Sequence, residues 1–428
     1  MISLRIPKEG LQGLVHLPLS KSLSNRQLIV GAHTGHPFTI QGLSEAEDTQ
    51  QLLRLLREVG YEVQRHADTW KIIPPATFRS PVHLYAGEGG TTLRFLLPLL
   101  AHLPVTSWVD AAPSLRRRPI EPLLRSLVSS GAKIEYHTAI YPLKVVGNPL
   151  WRPTQLSVDT TLSSQFLSAL LLLAPYLTEG STITELAPHP ATPAYRNMTR
   201  QLLQEVGYDW QLVEKTWILR HTPSLTSNLH FAGEADWSAA GYFFGWAALG
   251  AFTGSLPLSL HSIQPERELF TRLSIGYEIS PHFQGITVTP ARERLMGILC
   301  DVEDYPDAVL ALAVVAAFAE SPSRLRGIQT LPYKESNRLH ALATELRKIG
   351  ATIHIEGSDL IIEPVRNLPA ELPVFESHGD HRMAMALSLI AARSKGPIYI
   401  EGAECVRKSF PHYWEVLQRL GAEVRQFT

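Results

Sequence analysis

Two kinds of apolar segment alternate along the chain. One kind is apolar on nearly every side: RQLIVGA (26–32), TTLRFLLPLLAHL (91–103), SSQFLSALLLLA (163–174), SAAGYFFGWAALGA (238–251), AVLALAVVAAFA (308–319) and RMAMALSLIAA (382–392). A helix without a polar face belongs inside a core. The other kind is amphipathic and ends on Leu-x-x-x-Gly, with Arg272 in place of Leu in one copy. Its glycines are Gly60, Gly131, Gly207, Gly276, Gly350 and Gly421, spaced 69 to 76 positions apart. A glycine there closes a helix with a left-handed residue. Strand pairs follow: YEVQR and TWKII around Ala67-Asp68, ATIHI and DLIIE around Glu356-Gly357-Ser358.

The repeating unit therefore reads strand, buried helix, strand, surface helix, strand, strand, six times over. This predicts an α/β (α+β) chain of two domains with three units each. Strand-like pieces from Leu4 to Val15 precede the first helix, so the N-terminus is expected to pair with the C-terminal half. Domain I is expected to be discontinuous, residues 1–19 plus 234–428, with domain II at 20–233. The Pro/Ser/Thr-rich HTPSLTSN (221–228) precedes the crossing between them.

Composition narrows the function. A chain of 428 residues has room for roughly two to four domains. With 39 basic against 40 acidic residues, no global field favours nucleic acid or a membrane surface. Cys300 and Cys405 stand alone, outside any paired motif, which argues against a disulfide framework or thiolate metal site. MISLRIPKEG lacks the apolar core of a signal peptide. The apolar runs stop near a dozen residues, short of the ~20 that cross a bilayer. The expectation is a cytoplasmic protein acting on small molecules, as a monomer.

Attraction for anions must then be local, and polar residues do gather at the starts of the buried helices. Ser20, Lys21, Ser22 and Arg26 open the first; Gly90, Thr91 and Arg94 the second; Ser163, Ser164 and Gln165 the third. Asp236 with Ser238, Asp307, and His381 with Arg382 mark the other three. Helix N-termini present free N–H groups and the positive end of the dipole. If the buried helices of a domain run parallel, their N-termini share one face, and two such faces opposed would line a cleft for a ligand with several negative charges.

Seven segments carry a resemblance. SKSLSNR (20–26), GEGGTTLR (87–94), RRRPI (116–120), LSSQFLSALL (162–171), KESNRLHALATELRKIGA (334–351), GDHRMAMALSL (379–389) and KSFPHY (408–413) resemble, in order, the signatures of the 5-enolpyruvylshikimate-3-phosphate synthase family. The resemblance implies a two-domain inside-out α/β barrel of six units. It also implies transfer of the enolpyruvyl group of phosphoenolpyruvate to the 5-hydroxyl of shikimate 3-phosphate, with release of phosphate, in aromatic amino acid biosynthesis. No metal or other cofactor is implied; sensitivity to glyphosate, a phosphoenolpyruvate-like inhibitor, is.

Carried over residue by residue, the resemblance places Lys21 between the two substrates and gives Ser22 and Arg26 the shikimate carboxylate. Gly90 and Arg118 would meet phosphoenolpyruvate, with Arg338, Arg382 and Lys408 on its carboxylate and phosphate. Ser163, Ser164, Thr192 and Tyr195 would surround shikimate 3-phosphate, with Asp307, Thr330 and Lys334 also near it, and Gln165 would bridge both ligands. Asp307 and Glu335, with Lys21 or Lys334 nearby, are the acid/base candidates.

Plainer readings stand beside these. Asp307 suits the first turn of a helix, Glu335 suits an ion pair with Lys334 or Arg338, and Arg116-Arg117-Arg118 suits a solvated loop. Arg118 before Pro119 reads as a helix start. His378, Asp380 and His381 are three metal-ligand types in four residues, but they lack a fourth partner, so no metal is expected.

Some positions depart from the family's usual pattern: Glu88 where Asn is common, Gln264-Pro265-Glu266 for Gln-x-Asp, Thr330 for Asn, and Pro332 for a basic residue. A carboxylate at Glu88 would repel phosphoenolpyruvate unless paired or turned away. The rivals are a related UDP-aminosugar enolpyruvyl transferase, which typically has a loop cysteine in its N-terminal half, and a non-catalytic paralogue that binds a phosphorylated metabolite. The latter would not need both Asp307 and Glu335.

Overall fold

The computed structural model describes residues 1–136, 140–189, 191–224, 229–273 and 275–427; the end of the HTPSLTSN stretch, 225–228, lies outside them. The described chain forms two compact units, one of residues 1–18 with 235–428 and one of residues 19–234. Each contains three four-stranded sheets.

One repeat shows how the pattern becomes structure. Strand Val82–Tyr85 leads into helix Gly90–His102, then strand Thr106–Asp110, helix Glu121–Ser129, and strands Lys133–Glu135 and Leu143–Val146. The first two strands are parallel, with Leu84 opposite Val109. Parallel neighbours need a long crossover, which the core helix supplies. The fourth strand lies antiparallel beside the second, and the third takes the outer edge. The repeat beginning at Gln155–Val158 has the same order.

Three strands complete sheets out of sequence order. Leu229–Ala232 pairs in parallel with Phe38–Gln41, supplying the opening strand of the first repeat of the 19–234 unit. Ile2–Arg5 lies between Ile398–Glu401 and Glu423–Gln426, antiparallel to both. Leu11–Leu14 runs parallel to Phe252–Leu256. Residues 19–234 are thus inserted, along the chain, between the first strand and the first helix of one repeat.

The six apolar segments form the core helices. All thirteen residues of Gly90–His102 and all eight of Val309–Ala316 are buried. Packing is close enough that a Cβ on Gly31 would come within 2.5 Å of the Phe38 ring. The amphipathic helices bury one face; Glu47–Val59 turns Leu52, Leu53, Leu56 and Val59 inward. Their six closing glycines all have positive φ, from 71° to 120°. At Gly60 this lets the Tyr61 N–H return to the Leu56 carbonyl at 2.9 Å.

Three local expectations need correction. Pro119 does not begin a helix: the helix starts at Glu121 with Pro122 in its first turn, and the Pro119 carbonyl instead accepts from Arg94 Nη2 at 2.5 Å. The third core helix is short, Gln165–Leu171, and gives way to a 3₁₀ turn at Ala174–Tyr176. Asp307 lies before the N-cap Ala308 rather than inside the first turn, so helix stabilisation does not account for it.

The 19–234 unit also buries two histidines that the sequence does not flag. His33 ends the first core helix and is fully buried, its ring edge-on to Tyr176. His102 ends the second, stacks on Tyr176, and meets Arg152 Nη1 at 2.9 Å. A helix C-terminus favours a cation, but burial wins. Burial, reinforced by His102, pushes the His33 imidazole down to about 3. Burial and the Arg152 guanidinium push His102 down to about 4. Both values lie below the unfolded value, so the unfolded chain takes up protons first as pH falls. Their stabilisation is complete above about pH 6.5 and is lost on acidification. Urea unfolding of this unit is expected to lose about 1.4 kcal/mol per pH unit for each histidine between about pH 6 and 4.5. His33→Leu removes its share; an unchanged slope would refute the assignment.

Candidate active site

The residues singled out from the sequence fall into one cluster in each unit. In the 235–428 unit the organising group is Asp380. It caps helix His381–Ser388 by accepting the Arg382 N–H at 2.9 Å. The same carboxylate accepts Arg338 Nε at 2.8 Å and the Ser336 hydroxyl at 3.3 Å. Asp380 is completely buried.

Arg338 opens helix Arg338–Arg347 and is 1% exposed. Its Nη1 donates to Asp307 Oδ1 at 3.0 Å and its Nη2 to Glu335 Oε2 at 2.8 Å. One guanidinium thus faces three carboxylates. Arg382 closes the cluster from the other side, with Nη2 2.7 Å from Asp307 Oδ2.

The electrostatics follow from this crowding. Burial works against ionisation of Asp307, but Arg382, Arg338 and Lys334 outweigh it and hold the carboxyl well below the usual carboxylate range. Burial likewise opposes ionisation of Asp380, and Arg338 overcomes it, so its pKa is also lowered. Burial alone would weaken Arg338 as a cation; Asp380, Glu335 and Asp307 reverse this and raise its pKa.

Around this centre, Lys408 Nζ donates to the Gly379 carbonyl at 2.9 Å. The Thr330 hydroxyl is buried and has no hydrogen-bond partner among the described residues. Gln264 is structural: its side chain accepts the Trp237 N–H at 3.1 Å and donates to the Ala235 carbonyl, pinning the start of the Trp237–Ala248 helix. His378 pairs with the buried Glu345 at 3.0 Å, which also holds Lys348. Among the described residues, no group of three or more His, Cys, Asp or Glu is arranged to hold a metal ion.

In the 19–234 unit, the starts of three core helices are cross-linked. Ser20 caps helix Lys21–His33 by accepting the Leu23 N–H. Asn25 Nδ2 donates to Thr91 Oγ1 at 2.9 Å, joining the first and second core helices. Arg94 Nη1 donates to Gln165 Oε1 at 2.7 Å, joining the second and third. Arg26 is 1% exposed and stacks over Phe95. Its Nε donates to Thr199 at 2.8 Å and its Nη1 to the Ser22 carbonyl at 2.9 Å, with longer bonds to Ser168 and the Tyr195 carbonyl. Arg26 therefore braces the cluster from within.

Nearby, Thr192 adopts a left-handed backbone at the mouth of helix Pro193–Glu205 and donates to the Ser164 hydroxyl at 2.5 Å. Ser163 accepts the Gln165 N–H at 3.3 Å. Three hydroxyls thus gather at one helix start, an arrangement suited to phosphate oxygens. Of the three consecutive arginines, Arg116 and Arg117 are exposed and Arg118 is buried. A Cβ on Gly90 would lie 2.9 Å from Arg118 Nη2, so the bare glycine backbone is what lets the guanidinium rest there. Glu88, on the turn before, is exposed.

Lys21 Nζ meets Asp48 Oδ2 at 2.9 Å, with both side chains 12% exposed. The sequence does not single out Asp48, which in SEAEDTQ reads as an ordinary acid in a first helical turn. Asp380 reads in the sequence as a metal-ligand type, although its place immediately before an apolar helix is an N-cap signal. Thr199 and Ser168 carried no signal.

The chain is similar to known proteins over nearly its whole length. A family model for EPSP synthase (3-phosphoshikimate 1-carboxyvinyltransferase) matches residues 6–417. A 3-phosphoshikimate 1-carboxyvinyltransferase of Vibrio campbellii is 32% identical over 97% of this chain and 98% of its own. One from Dehalococcoides mccartyi is 33% identical, covering 97% of each. The solved EPSP synthase of Acinetobacter baumannii superposes with a TM-score of 0.78 at 26% identity, over 99% of both chains. The fold is the inside-out α/β barrel, with core helices within each unit and sheets around them. The chain belongs to the EPSP synthase (3-phosphoshikimate 1-carboxyvinyltransferase) family.

Proposed function

We infer that this chain carries out the reaction that names its family, transfer of the enolpyruvyl group of phosphoenolpyruvate to the 5-hydroxyl of shikimate 3-phosphate with release of phosphate. The observation that carries the residue-level reading is the cluster in which Arg338 and Arg382 hold Asp307 beside Glu335.

The reaction adds and then eliminates. In the addition, the 5-oxygen bonds to C2 of phosphoenolpyruvate, C3 gains a proton, and the hydroxyl loses one. In the elimination, the C2–O bond to phosphate breaks, C3 gives up a proton, and the double bond returns. Asp307 is held as a carboxylate by its arginines, so it is suited to accept a hydrogen bond from the 5-hydroxyl and orient it. Asp307 takes the hydroxyl proton as the 5-oxygen bonds to C2, and its low pKa favours passing that proton on to the departing phosphate. Proton exchange at C3 falls to Glu335, whose side chain is 17% exposed and engages Arg338 through Oε2. Lys21 is the cation between the two ligands.

The remaining roles are those the resemblance assigns. Ser163, Ser164 and Thr192 take the phosphate of shikimate 3-phosphate, with Tyr195, Thr330, Lys334 and Ser22 around the ring and Gln165 touching both ligands. Arg26 acts mainly as the brace behind Ser22 and Tyr195. Gly90, Arg118, Arg338, Arg382 and Lys408 meet phosphoenolpyruvate. The UDP-aminosugar alternative is not favoured: both cysteines lie beyond residue 299, and burial pushes each thiol up to about 11, leaving neither as a thiolate.

Phosphate release is expected only when both substrates are present. Release from phosphoenolpyruvate alone, or none with both, would overturn the assignment. Glu335→Gln should lower kcat by about 10²-fold or more with little change in either KM, as loss of a general acid–base does. Gly90→Ala would drive a methyl against the Arg118 guanidinium. The expected result is a KM for phosphoenolpyruvate raised by roughly tenfold, about 1.4 kcal/mol, with the KM for shikimate 3-phosphate unchanged.

A further inference from the structure

The Lys21–Asp48 pair is poorly explained as a surface salt bridge, because both side chains are only 12% exposed. Asp48 is also anchored more firmly than an ordinary first-turn acid. It is the second residue of helix Glu47–Val59. Its carbonyl accepts the Thr92 hydroxyl at 2.8 Å, tying this surface helix to the first turn of core helix Gly90–His102. Its Oδ1 rests on the turn that opens that core helix, where a Cβ on Gly89 would approach it to 2.9 Å. The other oxygen, Oδ2, holds Lys21 in the first turn of core helix Lys21–His33. A single carboxylate therefore spans two helix starts, where negative charge is favoured, and ends on the lysine.

We propose that Asp48 is a positioning residue for Lys21, fixing its ammonium in the substrate-ready place before phosphoenolpyruvate arrives. The proposal rests on the reading of Lys21 as a substrate-contacting group. A lysine stem is flexible, and fixing it costs rotamer entropy. If Asp48 has already imposed that order, substrate binding does not bear the cost. An ammonium carries three donors, so one bond to Asp48 leaves two for a phosphate or carboxylate. Because Asp48 lies against the Gly89 turn, it also sets where the ammonium stands relative to Gly90 and the free N–H groups of that helix.

The test is steady-state kinetics of the intact enzyme with Asp48→Asn, alone and combined with Lys21→Met. Asparagine keeps the shape and removes the charge. Asp48→Asn is expected to raise the KM for phosphoenolpyruvate about tenfold, leaving kcat at saturation and the KM for shikimate 3-phosphate within about twofold. In a Lys21→Met background the same substitution should add nothing, because Asp48 acts through the lysine. Equal effects in both backgrounds would show a merely structural role and overturn the inference. So would an impaired Lys21→Met alongside an unchanged Asp48→Asn. Lys21→Met kinetics identical to the parent would instead refute the underlying reading of Lys21, and this inference with it. If Asp48→Asn fails to fold, Gly89→Ala serves: its Cβ would crowd both the Thr92 hydroxyl, at 2.5 Å, and the Asp48 carboxylate, at 2.9 Å, without altering any charge, and should raise the same KM.

Discussion

Arg338 is the constraint on which the 235–428 cluster depends. A guanidinium at 1% exposure would be prohibitively costly alone. It is tolerated because its donors end on Asp380, Asp307 and Glu335, and a buried charge persists when it is paired and hydrogen-bonded. The arrangement is asymmetric. Removing the arginine would strand the wholly buried Asp380 and take a cation from Asp307 and Glu335, and breaking such a buried pair costs about 3–5 kcal/mol. The same side chain that steadies the fold also helps Arg382 and Lys334 keep Asp307 ionised. Stability and chemistry at this site are one set of bonds.

Local periodicity reports what a segment buries, and for this chain that was nearly enough for the architecture. The six apolar segments became the core helices, and the six spaced glycines took positive φ where amphipathic helices end. A glycine closing a helix and an all-apolar helix are decided within a few residues, so both show in the sequence. The failures were also local. Pro119 missed its helix by two residues, because Pro122 satisfies the same first-turn preference. His33 and His102 look like polar residues near helix ends, and only the tertiary packing, with Tyr176 against both rings and Arg152 beside His102, makes them buried and holds their pKa values down.

The site was legible in its cations and hydroxyls, not in its pairings. Lys21 and Arg382 stand out because positive charges at the start of apolar helices are unusual, and Arg338 because the KESNR segment carries the resemblance. Their partners do not stand out. Asp48 lies 27 positions from Lys21, and Asp380 lies 42 from Arg338. Each carboxylate has an adequate local explanation, a first-turn acid in one case and a helix cap in the other. Nothing in a single sequence says that the same oxygens also reach a distant cation; that requires the fold to bring together two helices of one repeat in the first case and of successive repeats in the second.

These pairings change the physical picture of anion recognition. Clusters of bare cations would attract phosphates through net positive potential and would repel one another until a ligand arrived. Here the charges are balanced in advance: Arg338, Arg382 and Lys334 face Asp307, Glu335 and Asp380, and Lys21 faces Asp48. A near-neutral chain is the natural companion of such a site. The internal carboxylates hold the cationic groups in fixed directions, so that oriented donors rather than excess charge meet the ligand. Donors fixed before binding need no reorganisation when charge develops during reaction, and such preorganisation stabilises a transition state more than a looser attraction of equal strength.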